Sequence, residues 1–179
     1  MKLYFAPNSR AVRIAWLLEE LGLKYEIEKY SVGDRALRTS EYYKLHPMGR
    51  VPVLEDGKVR IYESGAIVQY LLARHGEGKF QPNVNDPSFP DYLQWLHYAE
   101  GSIMQQVNSL VVETILLPPE KKNEVNVARA LKLLKVALKN IDNRLQDRDY
   151  LSGEFSGADS SDHICLTCET VAAPSSTIP

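Results

Sequence analysis

Two short stretches carry the groups best placed for binding chemistry. Residues 51–54 read Val-Pro-Val-Leu, a proline inside an apolar, strand-like run. Proline has no N–H to give a sheet ladder, so Pro52 belongs at a turn, where such a bond is often cis. The bend presents the N–H and C=O of Val51 outward, where an extended peptide can pair with them as an added strand. The plainer alternative is a proline that only shapes a loop. Glu63-Ser64 opens a predicted helix directly after a predicted strand. Unpaired N–H groups and the positive end of the helix dipole suit an anion there. Ser64 can equally be an ordinary N-cap. Ser156-x-x-Asp159 is a capping-box variant, a feature of folding rather than of catalysis. Cys165 and Cys168 form a Cys-x-x-Cys pair. With no second ligand pair nearby and no strand–helix junction under them, they read as incidental thiols, and no metal site is expected.

The elements that must position these groups follow from periodicity. Residues 2–5 predict a strand ending at Pro7. Asn8 or Ser9 can cap a helix over 11–21, where Val12, Ile14, Leu17, Leu18 and Leu21 recur at helical spacing. Residues 25–30 predict a second strand, and 35–45 a short or irregular helix. Residues 51–54 and 58–62 predict two strands around the turn Glu55-Asp56-Gly57, since Asp-Gly between apolar runs is a hairpin signal. A helix follows from Ser64, with Ile67, Val68, Leu71 and Leu72 on one face, ending near His75-Gly76. A βαβ unit followed by a ββα unit is the thioredoxin-like plan. Residues 76–90 are rich in Gly, Pro and Asn and lack periodicity, as a linker does. Beyond them, 92–113 and 123–148 predict two amphipathic helices, interrupted at Pro118-Pro119.

Three of these stretches together resemble one family. His46-Pro47-Met48-Gly49-Arg50-Val51-Pro52-Val53-Leu54, followed by Glu63-Ser64-Gly65-Ala66-Ile67, resembles the signature of cytosolic glutathione transferases. That pattern is Asn-Pro-x-Gly-x-Val-Pro-x-Leu and then Glu-Ser-x-Ala-Ile, so His46 departs from the usual Asn. Residues 151–159, Leu-Ser-Gly-Glu-Phe-Ser-Gly-Ala-Asp, resemble the segment that introduces a buried helix in the same family. Three separated motifs in the expected order cover residues 1–159. The resemblance implies an α/β plus all-α fold: a thioredoxin-like glutathione-binding domain over 1–77, a linker over 78–90 and an incomplete helical bundle over 91–159. It implies that Pro52 is cis and that the cysteinyl backbone of glutathione docks on Val51. Glu63 and Ser64 would hold the γ-glutamyl end, and Arg50 would either meet the glycyl carboxylate or lie solvated.

The nucleophile in such an enzyme is the thiol of glutathione, whose pKa the protein must lower. Ser9 is the favoured donor, because its spacing to Arg13 resembles the serine-type classes. Asn8 is the second choice, Tyr4 reads as packing, and a plain N-cap is the competing role for Ser9. Arg13 reads as a support for the loop. Tyr98 and Met104, with Tyr92 and Ile103, are candidate walls of an electrophile pocket, although Met and aromatic residues at helical spacing more often belong to a core. His97 reads as structural or solvated. The implied activity is conjugation of glutathione, as co-substrate, to hydrophobic electrophiles. Glutathione-dependent peroxide or disulfide reduction is an alternative, as is a non-catalytic glutathione-binding or dimerisation module. A homodimer is implied by resemblance alone.

Composition narrows the field further. The chain has 179 residues, 44% of them hydrophobic, and a formal net charge of −2. There is no basic stripe, so no nucleic-acid partner is expected. There is also no apolar run long enough to span a bilayer, and no signal-peptide pattern. Two cysteines suit a reducing compartment. A cytoplasmic protein with no membrane partner is the expectation. Residues 160–179 diverge from the family pattern and read as a shortened, partly disordered tail. The helices of 91–148 would then expose apolar faces, which favours partner binding or aggregation.

Overall fold

The computed structural model describes residues 1–161, which fall into two compact units, Met1–Asn83 and a second beginning at Val84. In the first unit four strands make one sheet. Strand β1 (Lys2–Phe5) lies between β2 (Glu26–Lys29) and β3 (Val53–Asp56), with β4 (Val59–Tyr62) beyond β3. The β1–β2 pair is parallel, while β1–β3 and β3–β4 are antiparallel. The expected βαβ–ββα order is therefore present, since only the parallel pair needs a helical crossover. The hairpin turns at Gly57-Lys58, with Asp56 opposite Val59 and Gly57 at φ 60°. The turn thus sits one residue later than predicted, because glycine takes the positive-φ position directly.

Alternation along the strands divides the core between the two sheet faces. Leu3 and Leu54 are fully buried on one face. Helix α1 (Ala11–Glu20) buries Ile14, Leu17 and Leu18, and α3 (Ser64–His75) buries Ile67, Val68, Leu71 and Leu72; the two helices pack together. Tyr4 and Val53 point to the other face and pack with Leu37 and Tyr42. Leu37 comes from a 3₁₀ turn (Arg35–Arg38) and Tyr42 from the one-turn helix α2 (Ser40–Tyr43). The single irregular helix expected over 35–45 is split because Thr39 is extended, at φ −87° and ψ 154°, and caps α2 with its hydroxyl. At the far end of α3, Asp56 accepts from the Tyr70 hydroxyl at 2.8 Å and lies 2.7 Å from His75 Nε2, tying that helix to the hairpin.

The described part of the second unit is helical. Helix α4 (Phe89–Tyr98) begins with Pro90 in its first turn, where a missing N–H costs nothing. A π-helical segment (Ala99–Ile103), α5 (Met104–Val111) and a second π segment (Val112–Leu116) continue it, so the helix predicted over 92–113 is longer and twice underwound. Helix α6 (Glu124–Arg144) packs on α5. Its N-cap, Asn123, accepts from Val125 N and Asn126 N at 2.9 and 3.3 Å. Glu113 takes Asn123 N and Asn126 Nδ2, both at 2.8 Å, joining the end of one helical run to the start of the next. Helix α6 stops four residues before its predicted end: Arg144 pairs closely with Asp91 and donates to Leu151 O at 2.7 Å. The capping box forms as expected. Asp159 accepts from Ser156 N and Ser156 Oγ, each at 2.9 Å, while Ser156 Oγ accepts from Ala158 N at 3.2 Å. Among the described residues the helix it opens runs over 157–161. Ser160 and Ser161, which the sequence reading places in the divergent tail, are buried in that helix. Cys165, Cys168 and the rest of the tail lie outside the described residues.

Candidate active site

The site is assembled from three loops of the first unit. The first joins β1 to α1. Asn8 is exposed and left-handed, at φ 56°. Ser9 Oγ donates to Ala6 O at 2.6 Å and accepts from Ala11 N at 3.2 Å, while Ser9 O accepts from Val12 N at 3.1 Å. Ser9 thus performs a cap's work at the positive end of α1, although the cap position falls on Arg10. One turn on, Arg13 is 1% exposed, and its Nη1 donates to Ser64 Oγ at 3.3 Å. Arg13, expected to support the loop before α1, thus reaches across to the start of α3. The sequence offered one sign of it, a cation on the same helical face as Ile14 and Leu17.

The second loop opens α3. Glu63 holds the cap position at φ 71° and ψ 113°, with its side chain exposed. Ser64 is the first helical residue, 4% exposed, with its hydroxyl engaged by Arg13. The N-cap role read for Ser64 is therefore corrected: the cap position falls on Glu63, whose side chain makes no capping bond, and Ser64 faces a buried guanidinium. The strained φ of Glu63 left no trace in the sequence.

The third loop, 46–52, leads into β3. The Val51–Pro52 bond is cis, as the resemblance implied. Pro52 is buried, and Arg50 is exposed. Among the described residues, the Val51 N–H and C=O take part in no hydrogen bond. His46 is 4% exposed, accepts from Met48 N at Nδ1 (3.1 Å) and packs on the Tyr62 ring at 4.7 Å. Its ring nitrogen does the work an Asn side chain does in a turn, accepting from the N–H two residues on. Burial pulls its pKa below the usual value, as does nearby Arg50, with Glu63 opposing. Arg38 Nη1 donates to Met48 O at 2.9 Å, and the Tyr42 hydroxyl donates to Arg50 O at 2.9 Å. Sequence reasoning passed over Arg38 and Tyr42, because their partners are main-chain atoms outside any helical or strand pattern.

Tyr4 is buried and donates to Glu55 Oε2 at 3.0 Å; desolvation, then that carboxylate, push its pKa up. It is a packing residue, as read. In the helical unit Met104 is buried, and Tyr98, half-buried, donates to Ala137 O at 3.3 Å. Both serve packing within that unit. Among the described residues no three His, Cys, Asp or Glu side chains gather to hold a metal, and no helix is long and apolar enough to cross a membrane.

A sheet whose third strand is entered through a cis proline, with a helix N-terminus opening beside a buried serine and arginine, makes the first unit a thioredoxin-like domain. Residues 1–73 match the glutathione S-transferase N-terminal domain. The chain is 34% identical over 170 residues to glutathione S-transferase 3 of Schizosaccharomyces pombe, covering 88% of this chain and 69% of that one. It is 31% identical over 159 residues to glutathione S-transferase 4 of Zea mays, covering 84% and 69%. A crystal structure of the glutathione transferase URE2P8 from Phanerochaete chrysosporium with oxidized glutathione superposes with a TM-score of 0.87 at 25% identity, over 98% of this chain and 81% of that one. The chain belongs to the glutathione S-transferase family.

Proposed function

We propose that the protein is a transferase that joins the thiol of glutathione to hydrophobic electrophiles. The observation that carries this reading is the unpaired main chain of Val51 beside Pro52. Glutathione would lie along it as a short added strand. Its γ-glutamyl carboxylate would meet the start of α3 and Ser64, above buried Arg13, and its amine would face Glu63. Arg50, exposed at the loop end, suits the glycyl carboxylate. The sulfur would sit over the N-terminus of α1, where the dipole, the Ser9 hydroxyl and Asn8 favour thiolate over thiol. The thiol loses its proton to solvent, and a sulfur lone pair forms the bond to the electrophilic carbon. The leaving group departs with its bonding electrons. A homodimer in the cytoplasm is part of the same proposal.

One observation favours a second reading, a glutathione-binding module without turnover. The Ser9 hydroxyl proton is already given to Ala6 O at 2.6 Å. Thermal melts with glutathione, followed by assay on a chloronitrobenzene substrate, separate the two. Glutathione at a hundred times its Kd should stabilise the protein by about 2.7 kcal/mol. Turnover that falls in both Ser9→Ala and Asn8→Ala supports the enzyme. Stabilisation without turnover supports the module, and no stabilisation refutes both.

A further inference from the structure

We infer that Tyr42 is the positioning residue that sets the Val51 N–H for the main chain of the bound peptide, an inference that rests on the glutathione reading above. The Tyr42 hydroxyl donates to the carbonyl oxygen of Arg50 at 2.9 Å. That oxygen and the Val51 N–H belong to one peptide plane. The Arg50–Val51 bond is not among the cis bonds, so the two groups point in opposite directions. Holding the oxygen toward the core therefore aims the N–H away from it, to the side where a ligand carbonyl can accept. A hydrogen bond to the carbonyl also polarises the plane and strengthens its N–H as a donor.

The rest of the geometry suits Tyr42 to this task. It is 3% exposed, and its ring is wedged edge-on against Tyr30 and Tyr4, with centroids 5.2 and 6.1 Å away. Burial pushes its pKa up to about 12, so the hydroxyl keeps its proton. Its own carbonyl accepts from Leu45 N at 2.8 Å and His46 N at 3.0 Å. One residue thus grips the beginning of the 46–52 loop with its main chain and the end with its side chain. The loop contributes no strand pairing before Val53, so side-chain ties must replace the ladder.

The test is calorimetric titration of glutathione into the wild type, Tyr42→Phe and Tyr30→Phe. The Phe variant at 42 keeps the ring and loses only the donor, so the Kd for glutathione should rise about three- to tenfold. Tyr30→Phe removes a hydroxyl that bonds Glu28, in the same ring cluster but away from the loop, and should leave Kd within twofold. A purely structural role predicts two variants that melt lower and bind alike, which would overturn the inference. A second measurement needs no variant. Saturating glutathione should slow amide exchange at Val51 in the wild type, and an unchanged Val51 rate would overturn it as well. Absence of glutathione binding by the wild type would instead refute the transferase reading itself.

Discussion

Replacing Gly49 by alanine tests whether the 46–52 loop is a rigid part of the site. Gly49 is buried at φ 59°, a conformation that costs an L-residue about 1–2 kcal/mol. A Cβ there would stand 2.3 Å from Leu37 O, 3.0 Å from Arg38 Nη1 and 3.1 Å from Tyr43 Cε1. The nearest of these is main chain, fixed in the 3₁₀ turn that also buries Leu37. Relieving the contact requires the loop to move by about 1 Å, since carbon contacts are comfortable near ~3.5 Å. Overpacking of this kind adds about 1–3 kcal/mol. The sum is about 3 kcal/mol, or a fall in Tm of about 6–12 °C for a chain of this size. The same movement displaces Val51, so glutathione affinity should fall at least about tenfold. Gly57→Ala is the control. It has the same sign of φ, 60°, with nothing within 4 Å of the added carbon, and stands in the hairpin. It should incur the backbone strain alone and leave binding intact. Thermal melts by circular dichroism, paired with calorimetric titration, read both quantities. If Gly49→Ala melts and binds no worse than Gly57→Ala, the loop yields freely and the rigid-site reasoning fails.

Two further predictions concern other parts of the molecule. Asp159→Ala removes acceptors from Leu151 N, Ser156 N and Ser156 Oγ at once, so denaturant unfolding should show a loss of about 2 kcal/mol, whereas a change under 0.5 kcal/mol would make the box ornamental. His46 has a folded pKa lowered first by burial, so the stability it contributes is complete above its unfolded value of about 6.5 and declines as pH falls toward the depressed folded value. Protonation at Nδ1 would also break the bond from Met48 N. Glutathione affinity measured from pH 7.5 to 5 should therefore fall more steeply in the wild type than in His46→Asn, which keeps an acceptor and does not titrate; parallel profiles would remove His46 from the account.

The sequence exposed those parts of the site that follow from periodicity or from a missing donor. Ile67, Val68, Leu71 and Leu72 marked α3, and Pro52 marked the entrance to β3, because a proline inside an apolar run has few places to go. Ser156 and Asp159 marked the last described helix start through their spacing alone. Boundaries shifted where a local bond outweighed the pattern: Arg144 ends α6 by turning to Asp91 and Leu151, and Thr39 splits the 35–45 segment by capping. Ser64 was legible as the start of a helix but not in its bond. Its partner, Arg13, lies 51 residues away, and no window along the chain relates them.

This separation follows from what the site offers a ligand. On the proposed reading its central groups are main-chain atoms, the N–H and C=O of Val51 and the first amides of α3, and main chain is the same at every residue. Sequence type enters only through residues that free those atoms, such as Pro52, and through residues that hold them still. The second set comprises Arg13, Arg38, Tyr42 and His46, each reaching a loop from a helix, a helical turn or the loop's own start. Binding energy is spent on ordering whatever is not already ordered. If the proposed function holds, the affinity for a flexible tripeptide should depend on these four as well as on the residues that touch it, and substitutions among them should act on Kd before they act on turnover.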